Sequence, residues 1–441
     1  MKKTLVGAIA GMAAATLALT GCGGAAATPA PTATGAAEVK GDITFLTNRT
    51  DLKTDGTWDK YVTAFQAVYP DVTVKIEAIT NYEDDVKTRM ATPNGYGDVL
   101  LIPNGVAPDE YADYFESLGK ASDLEATYRF LAPKTVDGEQ YGLALGGNAN
   151  GILYNTEVWK AAGITTWPTT EADFLTDLQA IKDKTKATPL YTNYKDGWPL
   201  GGQWTNLIGG VTGDATAQTL MAHNKTPWTQ GTDIYAIDSL LYDSVHQGLT
   251  EADPLTTNWE QSKSDFAKGK IATMVLGSWS ISQFQAAAKT AGASTDIVGF
   301  MPFPANVSGK QYATMAGDYY LGINKNTANS AAAHAWMNWL LEKSGFTDTQ
   351  GMISAVKAAS LPSNLKGLSD NGVELIELAA APTGEESLFN NIADKSQVDV
   401  WGNLYRQKLI DIARGQAKGD KDSYFAQLNQ QWGEAVAKLA G

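Results

Sequence analysis

The sequence predicts an α/β protein built from two lobes. Strand and helix patterns alternate along the chain, and the alternation restarts after residue 150. The length of 441 residues exceeds the roughly 250–300 residues that a single hydrophobic core supports. Hydrophobic residues make up 44% of the chain, which suffices for two cores and excludes a disordered chain.

The charge and the cysteine content exclude several functional classes. The chain has 34 Lys+Arg and 48 Asp+Glu, so its net charge is −14, which argues against nucleic-acid binding. A single Cys excludes a disulfide framework and a zinc ribbon. The three histidines, at positions 223, 246 and 334, are far apart in sequence, which disfavours a His-based metal site. We therefore expect no cofactor and no bound metal.

The first 40 residues have the pattern of an export and anchoring segment. Two lysines precede an apolar stretch, Thr4 to Thr20, that is short for a membrane-spanning helix. It ends in Leu19-Thr20-Gly21-Cys22, which resembles the lipobox of bacterial lipoproteins; the alternative is an ordinary signal peptide with an incidental Cys. We expect 1–21 to be a signal peptide, Cys22 to carry the lipid anchor, and the Gly, Ala, Thr and Pro-rich 22–40 to be a flexible tether.

Residues 42–102 follow a βαβαβ order. Val72, Val74 and Ile76 alternate with polar residues at period two, as in a half-buried strand, and Pro70 ends the helix before them. Strands are predicted at 42–47, 72–78 and 98–102, and helices at 58–68 and 82–90. This order implies a parallel sheet with helices on its faces.

The same alternation restarts beyond residue 150. The run Thr170-Glu171-Ala172-Asp173 resembles a capping box, with Asp in place of the usual Glu, and Ser330 is a second candidate cap. Strands are predicted at 151–154, 189–192, 271–276, 297–301 and 321–323, and helices end near 269, 345 and 439. Two α/β lobes follow from this restart.

Polar and aromatic residues follow the carboxyl ends of the predicted strands, where open α/β sheets bind ligands. These loops are 48–51, 103–105, 193–204, 277–279 and 317–320. Trp and Tyr present rigid faces for the C–H face of a pyranose, and Asn, Asp and Arg suit its hydroxyls. Trp198 and Trp279 lie in Gly-rich loops, which favours ligand contact. Helical spacing instead assigns Trp336, Trp339 and Trp432 to the core, and Trp401 with Tyr405 to a helix face.

Several motifs in order and at suitable spacing carry a family resemblance. They are Gly41–Phe45, Tyr96–Leu100 (with Gly97-Asp98 where Pro-Asp is usual), Asp137–Gly142, Ile152–Asn155, and Phe266–Met274 leading to Gly277-Ser278-Trp279. With these motifs the chain resembles an extracellular solute-binding protein of a carbohydrate ABC transporter, in the large class that includes maltose-binding protein. The resemblance covers most of residues 41–345.

The resemblance implies a two-lobed, periplasmic-binding-protein-like (type II) fold. Each lobe is expected to be a mostly parallel sheet flanked by helices, with the ligand cleft between the lobes. Lobe 1 would comprise 41–147 and 312–345, and lobe 2 would comprise 148–311 and 346–441. Such a protein is a monomer that captures an oligosaccharide by hinge closure and delivers it to permease subunits, without catalysis.

The resemblance also places the site residues by position. The expected ligand-binding residues are Asn48, Asp51, Asn104, Asn148, Trp198, Trp279, Asp318 and Tyr319. Arg49 either lines the cleft or pairs with a local carboxylate. Strand alternation would let Tyr319 or Tyr320, but not both, contact ligand.

Two alternatives remain open at this level. One is a binding protein for a peptide or another small solute on a similar fold. The other is a lipid-anchored glycoside hydrolase, which needs a pair of carboxylates across the sugar. Among 48 acidic residues such a pair can always be proposed, and the chain contains neither a G-x-S-x-G elbow nor a phosphate-binding G-x-x-x-x-G-K-[ST] loop.

Overall fold

Strands and helices alternate through the chain, as the sequence predicts. The computed structural model describes residues 39–92 and 95–440. The predicted signal peptide 1–21, Cys22 and the tether up to residue 38 lie outside the described residues. None of the helices in the described ranges has both the length and the apolarity needed to cross a membrane.

Ten strands occur in the described residues. They are β1 Gly41–Thr47, β2 Val72–Ala78, β3 Val99–Leu101, β4 Thr135–Val136, β5 Glu139–Gln140, β6 Leu143–Asn155, β7 Thr273–Gly277, β8 Val298–Met301, β9 Tyr312–Ile323 and β10 Glu374–Glu377. β2 coincides with its predicted bounds, because alternating burial and polarity specify a half-buried strand locally.

Seventeen α-helices accompany these strands in the same ranges. They are α1 Thr50–Thr54, α2 Thr57–Gln66, α3 Tyr82–Met90, α4 Tyr111–Tyr114, α5 Ala121–Leu124, α6 Thr156–Ala161, α7 Glu171–Lys184, α8 Ala217–His223, α9 Asp233–His246, α10 Trp259–Ala267, α11 Ser280–Thr290, α12 Ser330–Glu342, α13 Phe346–Gln350, α14 Lys366–Asp370, α15 Leu388–Ser396, α16 Leu404–Ala413 and α17 Lys421–Leu439. A π-helical turn spans Pro199–Gln203.

The main sheet begins with the predicted parallel unit. β1 lies between β2 and β3 and pairs in parallel with both. β9 pairs antiparallel with β3 and with β6, and β10 pairs in parallel with β9. The predicted βαβαβ arrangement is confirmed.

β6 is the strand that extends the sheet beyond this unit. Its residues 143–149 pair with β9, and its residues 150–155 pair with β7 and β8. β7 and β8 are both antiparallel to β6, so they run in the same direction as each other.

Two hydrophobic cores accompany the two parts of the sheet. The first contains Phe45, whose ring meets Trp58 edge to face at 5.3 Å, together with Trp336. It also contains Phe346 and Leu368, whereas the chain from Ile392 onward packs in the second core. The predicted core positions of Trp336, Trp339 and Trp432 are confirmed, because all three are buried. The exact lobe boundaries remain a prediction.

Three local predictions differ from the structure. Residues 189–192 do not form a strand: Leu190 makes an isolated bridge with Thr250, and the N–H and hydroxyl of Thr192 bond the Glu251 carboxylate and not a neighbouring strand. Residues 317–320 lie within β9 and do not form a loop. α12 is preceded by Asn329, and the hydroxyl of Ser330 donates to Glu116. The cap at Thr170 is confirmed, since its oxygen accepts the N–H of Asp173 at 3.1 Å.

Candidate functional site

Three tryptophan side chains pack together at one end of the candidate site. The ring centroids of Trp198 and Trp279, both selected from the sequence, are 5.8 Å apart. Trp259 completes the group at 5.0 Å from Trp198 and 5.9 Å from Trp279. Trp198 remains 43% exposed, so the group presents an aromatic surface to solvent. We call these three residues the tryptophan cluster.

The local backbone of two loops positions this cluster. Trp279 lies directly between the end of β7 and the start of α11, and Trp198 precedes the π-helical turn. A Cβ atom at Gly277 would lie 2.6 Å from the Trp279 ring, so the indole folds back over a position that only glycine permits. Trp259, at the start of α10, carried no loop signal in the sequence and was not predicted.

Gln203 holds the Trp279 indole in place. Its Oε1 accepts the backbone N–H of Gly277 at 2.8 Å and the indole Nε1–H of Trp279 at 3.3 Å. Gln203 ends the π-helical turn, a feature that often occurs at functional sites. Sequence reasoning missed this role because a glutamine has no motif, and its partners lie more than 70 residues away.

The cluster adjoins a partly buried polar group on the two long strands, formed by Asn148 and Asp318. Asn148 on β6 donates from Nδ2 to Asp318 Oδ2 on β9 at 3.3 Å. The two residues are diagonal neighbours on antiparallel strands, because Gly146 pairs with Asp318 and Asn148 with Ala316. The hydroxyl oxygen of Ser278, the residue before Trp279, accepts a hydrogen bond from the backbone N–H of Ala149 at 3.0 Å. Asn148, Asp318 and Trp279, all predicted from the sequence, are thus connected. Asn148 bonds Asp318 directly, and its neighbour Ala149 bonds Ser278, the residue before Trp279.

The backbone at Tyr319 interrupts strand alternation. Its φ is +52°, in the left-handed region that non-glycine residues seldom adopt, and its N–H bonds the Asp318 carboxylate at 2.8 Å. The expectation that only one of Tyr319 and Tyr320 contacts ligand stays a prediction. Both rings are half-buried, and they neighbour different cations, Arg49 and Lys134 respectively.

Burial raises the pKa of Asp318. The backbone N–H of Tyr319 and the positive charge of Arg49 oppose this rise without cancelling it. The Asp318 carboxylate is therefore a partly desolvated acceptor beside an amide donor, an arrangement that suits a hydroxyl ligand.

The Arg49 guanidinium pairs with a local carboxylate, which was one of its two predicted roles. Nε and Nη2 donate to the two oxygens of Asp51 at 2.9 and 2.7 Å, and Nη2 also donates to Gln350 at 2.8 Å. The guanidinium lies 5.8 Å from the Tyr319 ring centroid. Asp51 is thereby linked to Asp318, because Arg49 bonds Asp51 and lies beside the ring of Tyr319, whose N–H bonds Asp318. The bond from Arg49 lowers the Asp51 pKa, although burial opposes it.

Two predicted residues lie outside this connected set. Asn104 donates from its backbone N–H and its Nδ2 to the Glu83 carboxylate, at 2.8 and 3.2 Å. Asn48 is exposed, and its carbonyl accepts the N–H of Thr50. The Asn104 side chain is engaged by Glu83 of α3, and the Asn48 backbone forms a turn, neither of which the position of a loop after a strand reveals.

The described residues contain no group of three or more His, Cys, Asp or Glu side chains placed to hold a metal ion. The arrangement found is a binding arrangement. It combines an aromatic surface, a positioned indole and a partly buried amide–carboxylate pair on β6 and β9.

Two surface depressions lie apart from this set. One, of about 310 Å³, is lined by Thr44, Asp98 and Thr327 among others, and its Asp98 carboxylate already accepts bonds from both threonines. The other, of about 190 Å³, is lined in part by Trp401. The candidate site thus rests on hydrogen bonding and aromatic geometry and not on an enclosed cavity.

The chain is similar to solved sugar-binding proteins over nearly its whole length. It is 39% identical to a manno-oligosaccharide specific solute binding protein, BlMnBP2 from Bifidobacterium animalis subsp. lactis, solved with mannotriose; the match covers 91% of this chain and 95% of that one, with a TM-score of 0.76. It is 37% identical to BlMnBP1 of the same organism, a binding protein of an ABC transporter solved with mannobiose, with the same coverage and TM-score.

A more distant relative is the diacetylchitobiose binding protein DasA of Streptomyces coelicolor. The two are 25% identical over 316 residues, which is 70% of this chain and 66% of that protein. The family description "Bacterial extracellular solute-binding protein" matches residues 50–345. The family and the fold class predicted from the sequence are confirmed: the chain belongs to the bacterial extracellular solute-binding protein family.

Proposed function

We propose that the protein captures a mannose-containing oligosaccharide outside the cell and delivers it to an ABC importer. The observation that carries this proposal is the tryptophan cluster beside the Asn148–Asp318 pair. An exposed aromatic surface stacks on the apolar face of a pyranose, and the buried pair exchanges hydrogen bonds with its hydroxyls. The relatives of 37% and 39% identity, solved with mannobiose and mannotriose, support this sugar class.

The proposed mechanism is binding followed by hinge closure. Asn148 and Asp318 lie on β6 and β9, whereas Trp198 precedes the π-helical turn, Trp259 begins α10 and Trp279 follows β7. A ligand that contacts both sets of residues favours the closed form by the difference between its affinities for the two forms. We propose Asp51, Asn148, Trp198, Trp279, Asp318 and Tyr319 as ligand contacts. Asn48 and Asn104, named from the sequence, would reach ligand only if the protein closes around it.

We further propose that Cys22 anchors the protein to the outer face of the cell membrane. A lipid on Cys22 followed by a flexible tether would keep the folded part near the permease. Replacing this residue, Cys22→Ser, should release the protein into the medium. Retention of the variant in the membrane fraction would contradict the anchor.

Calorimetric titration with mannobiose and mannotriose tests the proposed ligand. Diacetylchitobiose is the comparison sugar, because DasA is a relative named for binding it. We expect saturable binding of the mannose oligomers and recovery of both sugars intact by chromatography. Preference for diacetylchitobiose would reassign the substrate, and cleavage of any sugar would overturn the binding-only mechanism. Binding of none of these sugars would favour a non-sugar solute.

A further inference from the structure

A second aromatic groove lies on another part of the surface. It encloses about 190 Å³, and its lining includes Trp401, Phe389 and Asn390 together with Gln218 and Thr219 of α8. This volume lies below the roughly 300–1,000 Å³ of pockets that enclose drug-sized ligands, so the groove has room for about one sugar residue. We call it the Trp401 groove.

The Trp401 indole is held in place and yet exposed. Its Nε1–H donates to Asn390 Oδ1 at 2.9 Å, and Phe389 meets the ring edge to face at 6.0 Å. The side chain nevertheless remains 40% exposed. The sequence placed Trp401 on a helix face with Tyr405, and this prediction is wrong, because α16 begins only at Leu404 and Tyr405 alone is buried. A positioned, exposed indole is a ready stacking surface.

Unused hydrogen-bonding groups accompany the indole. Within the described residues, the side chains of Gln218 and Thr219 form no hydrogen bond. The acidic groups of the groove are already engaged, since Glu385 pairs with His223 at 2.8 Å and Glu386 accepts the N–H of Gly384. A free amide and a free hydroxyl beside an aromatic face match a neutral pyranose, and the two carboxylates disfavour an anionic ligand.

The Trp401 groove is connected to the tryptophan cluster through backbone contacts. A Cβ atom at Gly201 would lie 2.5 Å from the carbonyl oxygen of Trp401, and one at Gly197 would lie 2.4 Å from Asn403 Nδ2. The loop that carries Trp198 therefore packs directly on the turn that carries Trp401. Both exposed indoles stand on segments in contact with each other.

We propose that the Trp401 groove is a second glycan-binding site that takes one neutral pyranose residue of a longer chain. The pyranose stacks on the Trp401 indole, and its hydroxyls bond the side chains of Gln218 and Thr219. The groove is separate from the site of the proposed function, so either site can fail while the other holds.

Native gel electrophoresis of the full chain through gels containing soluble mannan tests this site. We expect the wild-type protein to be retarded, and Trp401→Ala and Gln218→Ala each to weaken the retardation by about fivefold, as loss of an interface anchor does. Leu404→Ala is the matched control, because Leu404 is an exposed apolar residue three positions away that does not line the groove. The affinity of all three variants for mannotriose, measured by calorimetry, should equal that of the wild type.

The remaining outcomes each overturn the groove assignment. If Trp401→Ala and Gln218→Ala are both retarded as strongly as the wild type, the groove does not bind glycan. Loss of retardation in Trp279→Ala alone assigns all sugar binding to the tryptophan cluster. An unretarded wild-type protein contradicts a glycan site, and the exposed apolar surface would then indicate a protein contact.

Discussion

The indole Nε1 of Trp279 lies 3.3 Å from Oε1 of Gln203, which also accepts the N–H of Gly277 at 2.8 Å. One amide oxygen thus fixes both the end of β7 and the orientation of the aromatic ring that follows it. In a sugar site the angle of the ring decides whether a pyranose can stack, so Gln203 would act through Trp279.

Replacing Gln203 separates this positioning role from simple packing. Gln203→Leu removes the acceptor and leaves the Gly277 N–H unpaired, so we expect oligosaccharide binding to weaken by about 1–3 kcal/mol. Gln203→Glu retains an oxygen acceptor and should bind within about 1 kcal/mol of the wild type. Calorimetry measures both affinities. Equal losses in the two variants would contradict the positioning role.

Trp279→Ala should weaken oligosaccharide binding by about 1–4 kcal/mol, because it removes a central aromatic anchor. Leu255→Ala is a suitable control, since Leu255 is 65% exposed and lies outside the tryptophan cluster. Titration calorimetry provides the measurement. Wild-type affinity in Trp279→Ala would exclude this residue from the site.

Asp318→Asn should reduce affinity while leaving the fold intact. A charge-assisted hydrogen bond from a sugar hydroxyl is worth about 1.5–3 kcal/mol, and the neutral amide loses most of it. Burial raises the pKa of Asp318, so its ionised form is penalised in the folded protein, and the neutral variant should be at least as resistant to heat at pH 8. Asp109→Asn, at an exposed carboxylate outside the proposed site, provides the comparison. A lower melting temperature together with unchanged affinity would indicate a structural role for Asp318.

Arg406 and Asp238 form a fully buried pair that supports the loop carrying Trp198. Arg406 Nε donates to Asp238 at 2.8 Å, and Nη1 donates to the carbonyls of Leu200 and Gly201 in the π-helical turn. Arg406→Met leaves the Asp238 charge buried and unpaired, so the free energy of unfolding should fall by about 3–5 kcal/mol. Urea denaturation measures this change.

A second substitution at this pair tests the cause of the loss. Adding Asp238→Asn to Arg406→Met removes the unpaired charge, and its side-chain oxygen can still accept the indole N–H of Trp228, which donates to Asp238 at 2.7 Å. The double variant should therefore recover part of the lost stability. No recovery would mean that the damage comes from the carbonyls that Arg406 leaves unpaired.

Glu171, at the start of α7, should make stability depend on pH. Burial raises the pKa of its carboxyl to about 7, the charge of Asp243 adds to the rise, and Lys421 opposes it. The folded protein therefore binds this proton more tightly than the unfolded chain, and stability falls as the pH rises from the ordinary value of 4.5 through about 7. Glu171→Gln should raise the melting temperature at pH 8 and leave it unchanged at pH 4. A gain of equal size at both pH values would exclude the titration of Glu171 as the cause.

The sequence alone determined the helices and strands in which buried residues recur at a regular helical or strand spacing. β2 and α3 have the predicted bounds, and Trp336, Trp339 and Trp432 are buried as their helical spacing predicted. Motif order sufficed for the family, and Trp198 and Trp279, selected from Gly-rich loops, do meet in space. The helix and strand bounds depend only on residues that are near one another in the chain, and the family assignment depends on the order of short motifs.

Only the tertiary structure decided which polar and aromatic side chains have distant partners. The acceptor role of Gln203, the addition of Trp259 to the tryptophan cluster and the placement of Trp401 before α16 all depend on such contacts. Residues 189–192 have strand-like composition, but Leu190 and Tyr191 donate to single carbonyls of two different segments, at Leu249 and Thr273, and Thr192 bonds a buried glutamate. The physical reason is that a hydrogen bond or a ring contact is set by distance in space, which periodicity along the chain does not contain.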